Sequence, residues 1–385
     1  MLWYKEGMKK RKKVFVGVSG GVDSSVALAL LKEKGCDVTG VFLRVWSPDF
    51  LPCDWKEERR EAMRVCATLG VPFLTLDCQK EYKKKVADYM IGEYKAGRVP
   101  NPDVFCNKHV KFGVFLDKAL KMGADCVATG HYARIREISN PNDQYPIKYE
   151  MLEGIDKNKD QSYFLYTLTQ KQLAHILFPI GHLTKPEVRK IAKKFKLPNA
   201  EKKDSQGVCF LGKLDMKDFL LHYMKKKKGV VLNTKNEIIG HHDGAGFFTI
   251  GQRHGFTITK KSTKDPRYFI VTKDLLKNTI TVANKVNEKN AVYSIKKVVV
   301  SDVHFISGKK SSCSFNATVR IRYRQEKQKC LLTRSVSKFQ GYSLTFNKSQ
   351  NAIAEGQSAV FYDGEICLGG GIIDRVVNSG IISKE

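Results

Sequence analysis

Residues Gly17-Val18-Ser19-Gly20-Gly21-Val22-Asp23-Ser24-Ser25 lie between a β-rich run, KVFV (13–16), and a helical run, VALALLKEKG (26–35). Glycines placed after a buried strand let backbone N–H groups approach a ligand closely, and the helix that follows presents its positive N-terminal end. A phosphate group is the natural guest. The spacing is neither that of the lysine-containing phosphate loop G-x-x-x-x-G-K-[ST] nor that of the dinucleotide loop G-x-G-x-x-G. Ser19, Ser24 and Ser25 supply hydroxyls instead, and Asp23 places a carboxylate where the lysine would stand. A carboxylate beside phosphate oxygens is repulsive unless Mg²⁺ bridges them. An ordinary strand-to-helix turn, with steric glycines and a Ser or Asp cap, needs fewer special residues than these.

Outward from this loop, short β-rich runs alternate with helical patterns from Val14 to about Asp125, ending in DCVATG (125–130). That alternation is the signature of βαβ units, so an α/β N-terminal domain with a doubly wound parallel sheet is expected over residues 1–212. A small mixed central domain is expected over 213–283, with a helix around Asp215–Met224 and the Gly-rich stretch GHHDGAGFFTIGQRHGF (240–256). Short β-rich runs broken by turn residues follow, and a C-terminal β-barrel is expected over 284–385.

The chain has 385 residues, which favours two or three domains over one core. Its 67 Lys and Arg against 39 Asp and Glu give a net charge of +28, pointing to a polyanionic partner. Nucleic acid leads and an anionic membrane surface comes second. Lysine runs such as KKRKK (9–13) and KKKK (225–228) are also what a solvated face looks like. No two of the ten cysteines form a C-x-x-C pair, which argues against a zinc ribbon or a thioredoxin-like redox motif, and no resident metal site is expected. With no apolar run of membrane-span length and no secretory leader, a cytoplasmic location is expected, where unpaired thiols survive.

Two cysteine segments carry a second signal. In VPNPDVFCNKHVKF (99–112), Asn101-Pro102-Asp103 reads as a turn, with Cys106 just ahead of a helix whose dipole, together with Lys108, would favour a thiolate. In KDSQGVCFLG (203–212), Asp204, Ser205 and Gly207 mark a turn leading to Cys209. Cys36, Cys66 and Cys126 sit among periodic apolar residues and read as ordinary core thiols.

The loop at 17–25 resembles the S-G-G-x-D-S pyrophosphate loop of the ATP pyrophosphatases, which cleave ATP between its α and β phosphates. The two cysteine segments resemble the N-P-D-x-x-C and D-S-x-G-x-C motifs of the tRNA-specific 2-thiouridylases. Further matches run in that family's order: GHYAR (130–134), KDQSYFL (159–165), GQRHGF (251–256), RIRYRQ (320–325) and EGQSAVFYDGE (355–365, with Glu355 where the family commonly has Pro). The resemblance implies an adenine nucleotide hydrolase-like first domain and a sulfurtransferase that adenylates the C2 oxygen of the wobble uridine and replaces it with sulfur. It implies that Gly17, Val18, Ser19, Gly20, Gly21, Val22, Asp23 and Ser24 hold the phosphates of Mg·ATP, with Leu43 and Gly130 near the adenosine. Cys209 would carry a persulfide, delivered by a cysteine desulfurase or a sulfur-relay protein. Cys106 would either form a transient disulfide with Cys209 or reduce the persulfide to sulfide, and Asp103 would be the general acid or base. Asn101, Pro102 and Asp103 would meet the flipped uridine. His131, Lys159, Asp160, Gln161, Arg322, Tyr323 and Gln357 would contact the tRNA around its anticodon stem-loop.

Three alternatives fit less of the chain. An amide-forming ATP pyrophosphatase needs no paired cysteines, and an iron–sulfur thiolase needs clustered C-x-x-C ligands. A non-catalytic RNA-binding protein would leave the loop and both cysteine turns unexplained.

Overall fold

The computed structural model describes residues 11–50, 55–139, 147–203, 216–259, 267–283, 295–309, 314–334 and 341–377. The first unit runs β1 (Lys13–Gly17), α1 (Val22–Glu33), β2 (Asp37–Arg44), α2 (Trp55–Leu69), β3 (Phe73–Asp77), α3 (Gln79–Tyr82), a π-helical turn (Lys83–Ala87) and α4 (Asp88–Lys95). It continues through α5 (Pro102–Cys106), a π-helical segment (Asn107–Phe115), α6 (Leu116–Lys121) and β4 (Cys126–Ala128). After the hairpin β5 (Ala133–Ser139) and β6 (Ile147–Glu153) come α7 (Gln170–Leu173), β7 (Ile176–Leu177) and α8 (Lys185–Lys194).

The parallel sheet has the order β3-β2-β1-β4-β7. Side chains along β1 alternate between its two faces, as the pleat requires. Val14 and Val16 pack with Val26, Ala27, Ala62, Val65 and Val188 of α1, α2 and α8, while Phe15 faces Phe112, Phe115 and Leu116 on the other side. Helices on both faces make the sheet doubly wound. Strand order reverses between β1 and β4, so their carboxyl ends splay and leave the crevice in which such sheets take ligands.

The central unit begins with α9 (Met216–Leu221) and continues with β8 (Gly229–Leu232), β9 (Ile238–His242), β10 (Thr257–Ile258), β11 (Phe269–Asp274) and β12 (Thr279–Ala283), in the order β10-β9-β8-β12-β11. Then come β13 (Ile295–Phe305), β14 (Phe315–Arg320), β15 (Gln328–Arg334), β16 (Tyr342–Gln350), β17 (Ser358–Asp363) and β18 (Ile366–Val377). These six run in the order β13-β16-β15-β14-β17-β18, and pairing of β18 back onto β13 closes the barrel.

The sequence carried no signal for one join. The hairpin β5–β6, which lies within the connection from β4 to β7, pairs with β18 through Leu152↔Ile366 and Met151↔Cys367 and extends the barrel sheet. A buried ionic network lies beneath it. Arg320 at the end of β14 reaches Glu153 at 2.9 Å and Asp160 at 2.6 Å, and both carboxylates are almost wholly buried. Removing one partner of a buried pair strands the other's charge, at about 3–5 kcal/mol. Arg320→Met is therefore expected to lower unfolding stability by about that amount. Urea titration checks it, and an unchanged midpoint would show that the network contributes nothing.

Candidate functional site

The phosphate loop sits where the strand order reverses. Gly20 takes φ +73°, which lets the backbone turn sharply after β1. The hydroxyl of Ser24 accepts from the Ser19 N–H at 3.2 Å and donates to the Gly21 carbonyl at 3.1 Å, and Ser25 donates to the same carbonyl at 2.8 Å. Val22 opens α1 with its side chain buried in the core, and no side chain caps this helix. The Ser and Asp residues are thus not there to cap it. Gly130, just past β4, lies against the same turn: a Cβ there would stand 2.6 Å from the Ser24 nitrogen. Leu43, at the carboxyl end of β2, is paired with Leu76 of β3.

Four residues distant in sequence complete the loop, and sequence reasoning missed them. Lys185, the first residue of α8 and buried, places Nζ 2.7 Å from Asp23 Oδ1. The Tyr132 hydroxyl donates to the same oxygen at 2.8 Å. Asn199 ties Gly20 O and Ser25 Oγ together, each at 2.9 Å, and Lys202 pairs with Glu61 beside Gly20. A lysine absent from the loop's own sequence thus stands beside Asp23, supplied by α8. The only local trace of Lys185 is a helix start, with Glu187 accepting the Thr184 N–H at 2.7 Å and Pro186 beside it. Nothing in that trace shows which crevice the lysine faces.

The segment Thr129–Tyr132 runs from this loop to Lys111, whose charge acts on Asp103. His131 is buried, with Nδ1 2.7 Å from Thr129 Oγ1 and Nε2 3.4 Å from Lys111 Nζ. An ammonium group only donates, so Nε2 accepts and Nδ1–H donates to Thr129. Burial, helped by Lys111, holds the His131 pKa well below its usual value and keeps the ring neutral. Asp103 is pushed the opposite way, since burial raises its pKa while Lys111 pulls it down. Lys111 thus lies electrostatically between Asp103 and His131, another residue that the motifs did not single out.

The structure corrects the sequence reading of Cys106. Asn101 caps α5, accepting from the Val104 N–H at 3.4 Å, and Pro102 occupies the first turn, so the helix starts ahead of Cys106 rather than after it. The chain then continues without a break into the π-helical segment. Cys106 is buried in the apolar cluster that joins Tyr82, Met90 and Val110 of the first unit to Phe219, Val231 and Ile270 of the central one. Lys108 is exposed on the following turn. Cys66 and Cys126 are core thiols as read, the first pushed up to about 11 by burial, whereas Cys36 is only half-buried. Cys209, with Asp204, Ser205 and Gly207, lies outside the described residues.

Several residues read as nucleic-acid contacts are occupied inside the protein. Asp160 accepts from Gly154 N, Ser162 N and Ser162 Oγ and pairs with Arg320, which makes it a buried structural node. Gln161 Oε1 accepts from the Tyr132 N–H at 3.0 Å and so steadies the residue that holds Asp23. Gln357 donates to the carbonyls of Val99 and Pro100. Arg322 and Tyr323 are in a turn beyond β14, not on a strand face; Arg322 donates to the Asn351 and Ala352 carbonyls, each at 2.5 Å. Tyr323 packs 4.6 Å from the Phe164 ring, so this turn and the 159–165 segment form one surface that includes partly exposed Lys159.

Comparison with known proteins places this arrangement. Residues 12–213 match the family described as the tRNA methyl transferase HUP domain, 217–284 its PRC-barrel domain, and 295–373 the aminomethyltransferase β-barrel domain. A tRNA-specific 2-thiouridylase of Oceanobacillus iheyensis is 44% identical over 376 residues, covering 97% of this chain and 98% of that protein. The chain belongs to the tRNA-specific 2-thiouridylase family. The 2-thiouridylase of Pseudomonas fluorescens is 43% identical over 369 residues, 95% of each chain, and that of Colwellia psychrerythraea is 42% identical over 374 residues, 96% of this chain and 97% of that protein. Among the described residues no helix is long and apolar enough to cross a membrane, and no group of side chains is arranged to hold a metal ion.

Proposed function

We propose that this protein is an ATP-dependent sulfurtransferase that converts the wobble uridine of tRNA to 2-thiouridine. The observation that carries the reading is that Tyr132 holds Asp23 of the phosphate loop while its neighbour His131 meets Lys111, whose charge acts on Asp103 of α5, within a chain similar along its whole length to 2-thiouridylases. The loop's chemistry fits Mg·ATP as a substrate. Its glycine turn admits phosphate oxygens, Lys185 supplies positive charge, and Asp23 is one carboxylate of the kind Mg²⁺ accepts beside phosphates and water.

In the first step the uridine O2 attacks the α-phosphorus of ATP and the bond to pyrophosphate breaks. A persulfide sulfur on Cys209 then attacks C2, and the C2–O bond breaks with AMP as the leaving group. Attack by the Cys106 thiolate on the Cys209 sulfur leaves the outer sulfur on the base and forms a Cys106–Cys209 disulfide, which an external dithiol reduces. The uridine has to leave its stack to meet Asn101, Pro102 and Asp103. The positive excess suits contacts to the anticodon stem-loop backbone, and the sulfur comes from a cysteine desulfurase or a relay protein.

Product analysis tests the nucleotide half of this reading. ATP turnover in the presence of tRNA should yield AMP and pyrophosphate, and ADP with orthophosphate would overturn it. The acid–base half has its own signature. Lys111 stabilises the ionised form of Asp103, so Lys111→Met removes a positive charge that holds the pKa down and should move the limb of the pH–rate profile due to Asp103 to higher pH. A profile that keeps its position would remove Lys111 from that role.

A further inference from the structure

The segment Gly97–Asn101, which feeds the base-recognition helix α5, is gripped by both of the later domains. From the barrel, the Glu355 carbonyl accepts the Val99 N–H at 2.8 Å. The Gln357 side-chain amide donates to the Val99 carbonyl at 2.8 Å and to the Pro100 carbonyl at 3.3 Å. Between them Gly356 adopts φ +90°, and a Cβ there would lie 2.9 Å from the Val99 nitrogen. The turn itself is pinned to the barrel, because Gly356 N–H donates to Ile373 O and Ile373 N–H donates to Gln357 O, both at 2.8 Å. From the central domain, Leu275 at the tip of the β11–β12 hairpin fills the space beside Gly97, where a Cβ would meet its Cδ1 at 2.1 Å.

Past this grip the chain has little freedom. Pro100 and Pro102 fix their own φ angles and restrict the residue before each, and Asn101 is spent as the helix cap. The position of Asp103 is therefore set largely by where Val99 and Pro100 are held. Glu355, where the family commonly carries proline, uses its backbone carbonyl for this contact, which leaves its side chain uninvolved in the grip on Val99.

We propose that the barrel turn Glu355–Gln357 is a positioning clamp for the base-recognition loop, with Gln357 acting through the Val99 and Pro100 carbonyls rather than on the tRNA. The clamp links the domain that closes the chain to the residues that meet the uridine. A displacement near 1 Å at a reacting group costs about 100-fold in rate, so losing the clamp should appear in turnover and not in affinity. This inference rests on the 2-thiouridylase reading, and its test separates the two.

Gln357→Met keeps the side chain's length and removes both donors. The expected result is a fall in single-turnover thiolation at saturating tRNA of about 10- to 100-fold, with the tRNA Kd within about twofold of the parent. Gln357→Lys returns a donor to the two carbonyls and should recover part of the rate. Weakened tRNA binding with normal turnover at saturation, or no effect on either, would overturn the proposal. Hydrogen exchange at the Val99 amide reads the clamp without any reaction: it should be slow in the parent and accelerate in Gln357→Met. If the parent forms no 2-thiouridine, the functional reading fails while the exchange experiment still decides on the clamp; equal exchange in the two proteins would overturn it.

Discussion

Cys209→Ser should abolish formation of 2-thiouridine while pyrophosphate is still released and the tRNA is still adenylated. Serine keeps the size of the side chain but cannot carry a persulfide, so the second step is lost and the first is spared. Cys106→Ser should retain at most a small residual thiolation, and no Cys106–Cys209 disulfide should accumulate after a turnover without reductant. The two sulfurs lie far apart in sequence, one buried on the helix that follows Asn101 and the other in a segment outside the described residues. They can meet only through the fold. Single-turnover thiolation with nucleoside mass spectrometry, run beside a coupled pyrophosphate assay, separates the steps. Full thiolation by either variant would overturn the two-cysteine mechanism, even with the ATP chemistry intact.

The second large effect is expected at Lys185. Its ammonium is buried against Asp23 at the phosphate loop, and there it offsets both that carboxylate and incoming phosphate oxygens. Lys185→Met leaves Asp23 with the Tyr132 hydroxyl and adds repulsion toward the triphosphate. Loss of a preorganised charge at a site of developing negative charge costs about 100-fold or more, so kcat/KM for ATP should fall by about that factor. Lys185→Arg should recover part of the loss, and the tRNA Kd should not move. Unchanged ATP kinetics in Lys185→Met would limit the lysine to a structural ion pair.

The loop and the alternating runs around it were readable from sequence because their signals are local: a glycine turn after an apolar strand, and periods of 2 and 3.6 in successive stretches. The doubly wound sheet and the terminal barrel follow from such signals. The attachment of β5–β6 to the barrel does not, because it depends on a pairing between strands more than two hundred residues apart in the chain. The same limit explains the site. Ser19, Asp23 and Asp103 stand inside compact motifs, whereas Lys185, Asn199, Tyr132 and Lys111 reach them through the fold. Cys106 was placed ahead of a helix because Asn-Pro-Asp reads as a turn, yet that same triplet is an effective helix start, with Asn as cap and Pro in the first turn. Motif membership also overstated exposure. Asp160 and Gln357 sit in matched segments, but their hydrogen bonds are spent inside the protein, and a motif carries no record of which way a side chain points.

The central claim is tested most directly by incubating the protein with Mg·ATP, a persulfide donor and unmodified tRNA, then digesting the tRNA and quantifying nucleosides by mass spectrometry. The account predicts 2-thiouridine at the wobble position, formed in step with AMP and pyrophosphate and absent when ATP is withheld. Unmodified uridine in every fraction while the protein hydrolyses ATP, or thiolation that proceeds without ATP, would contradict it.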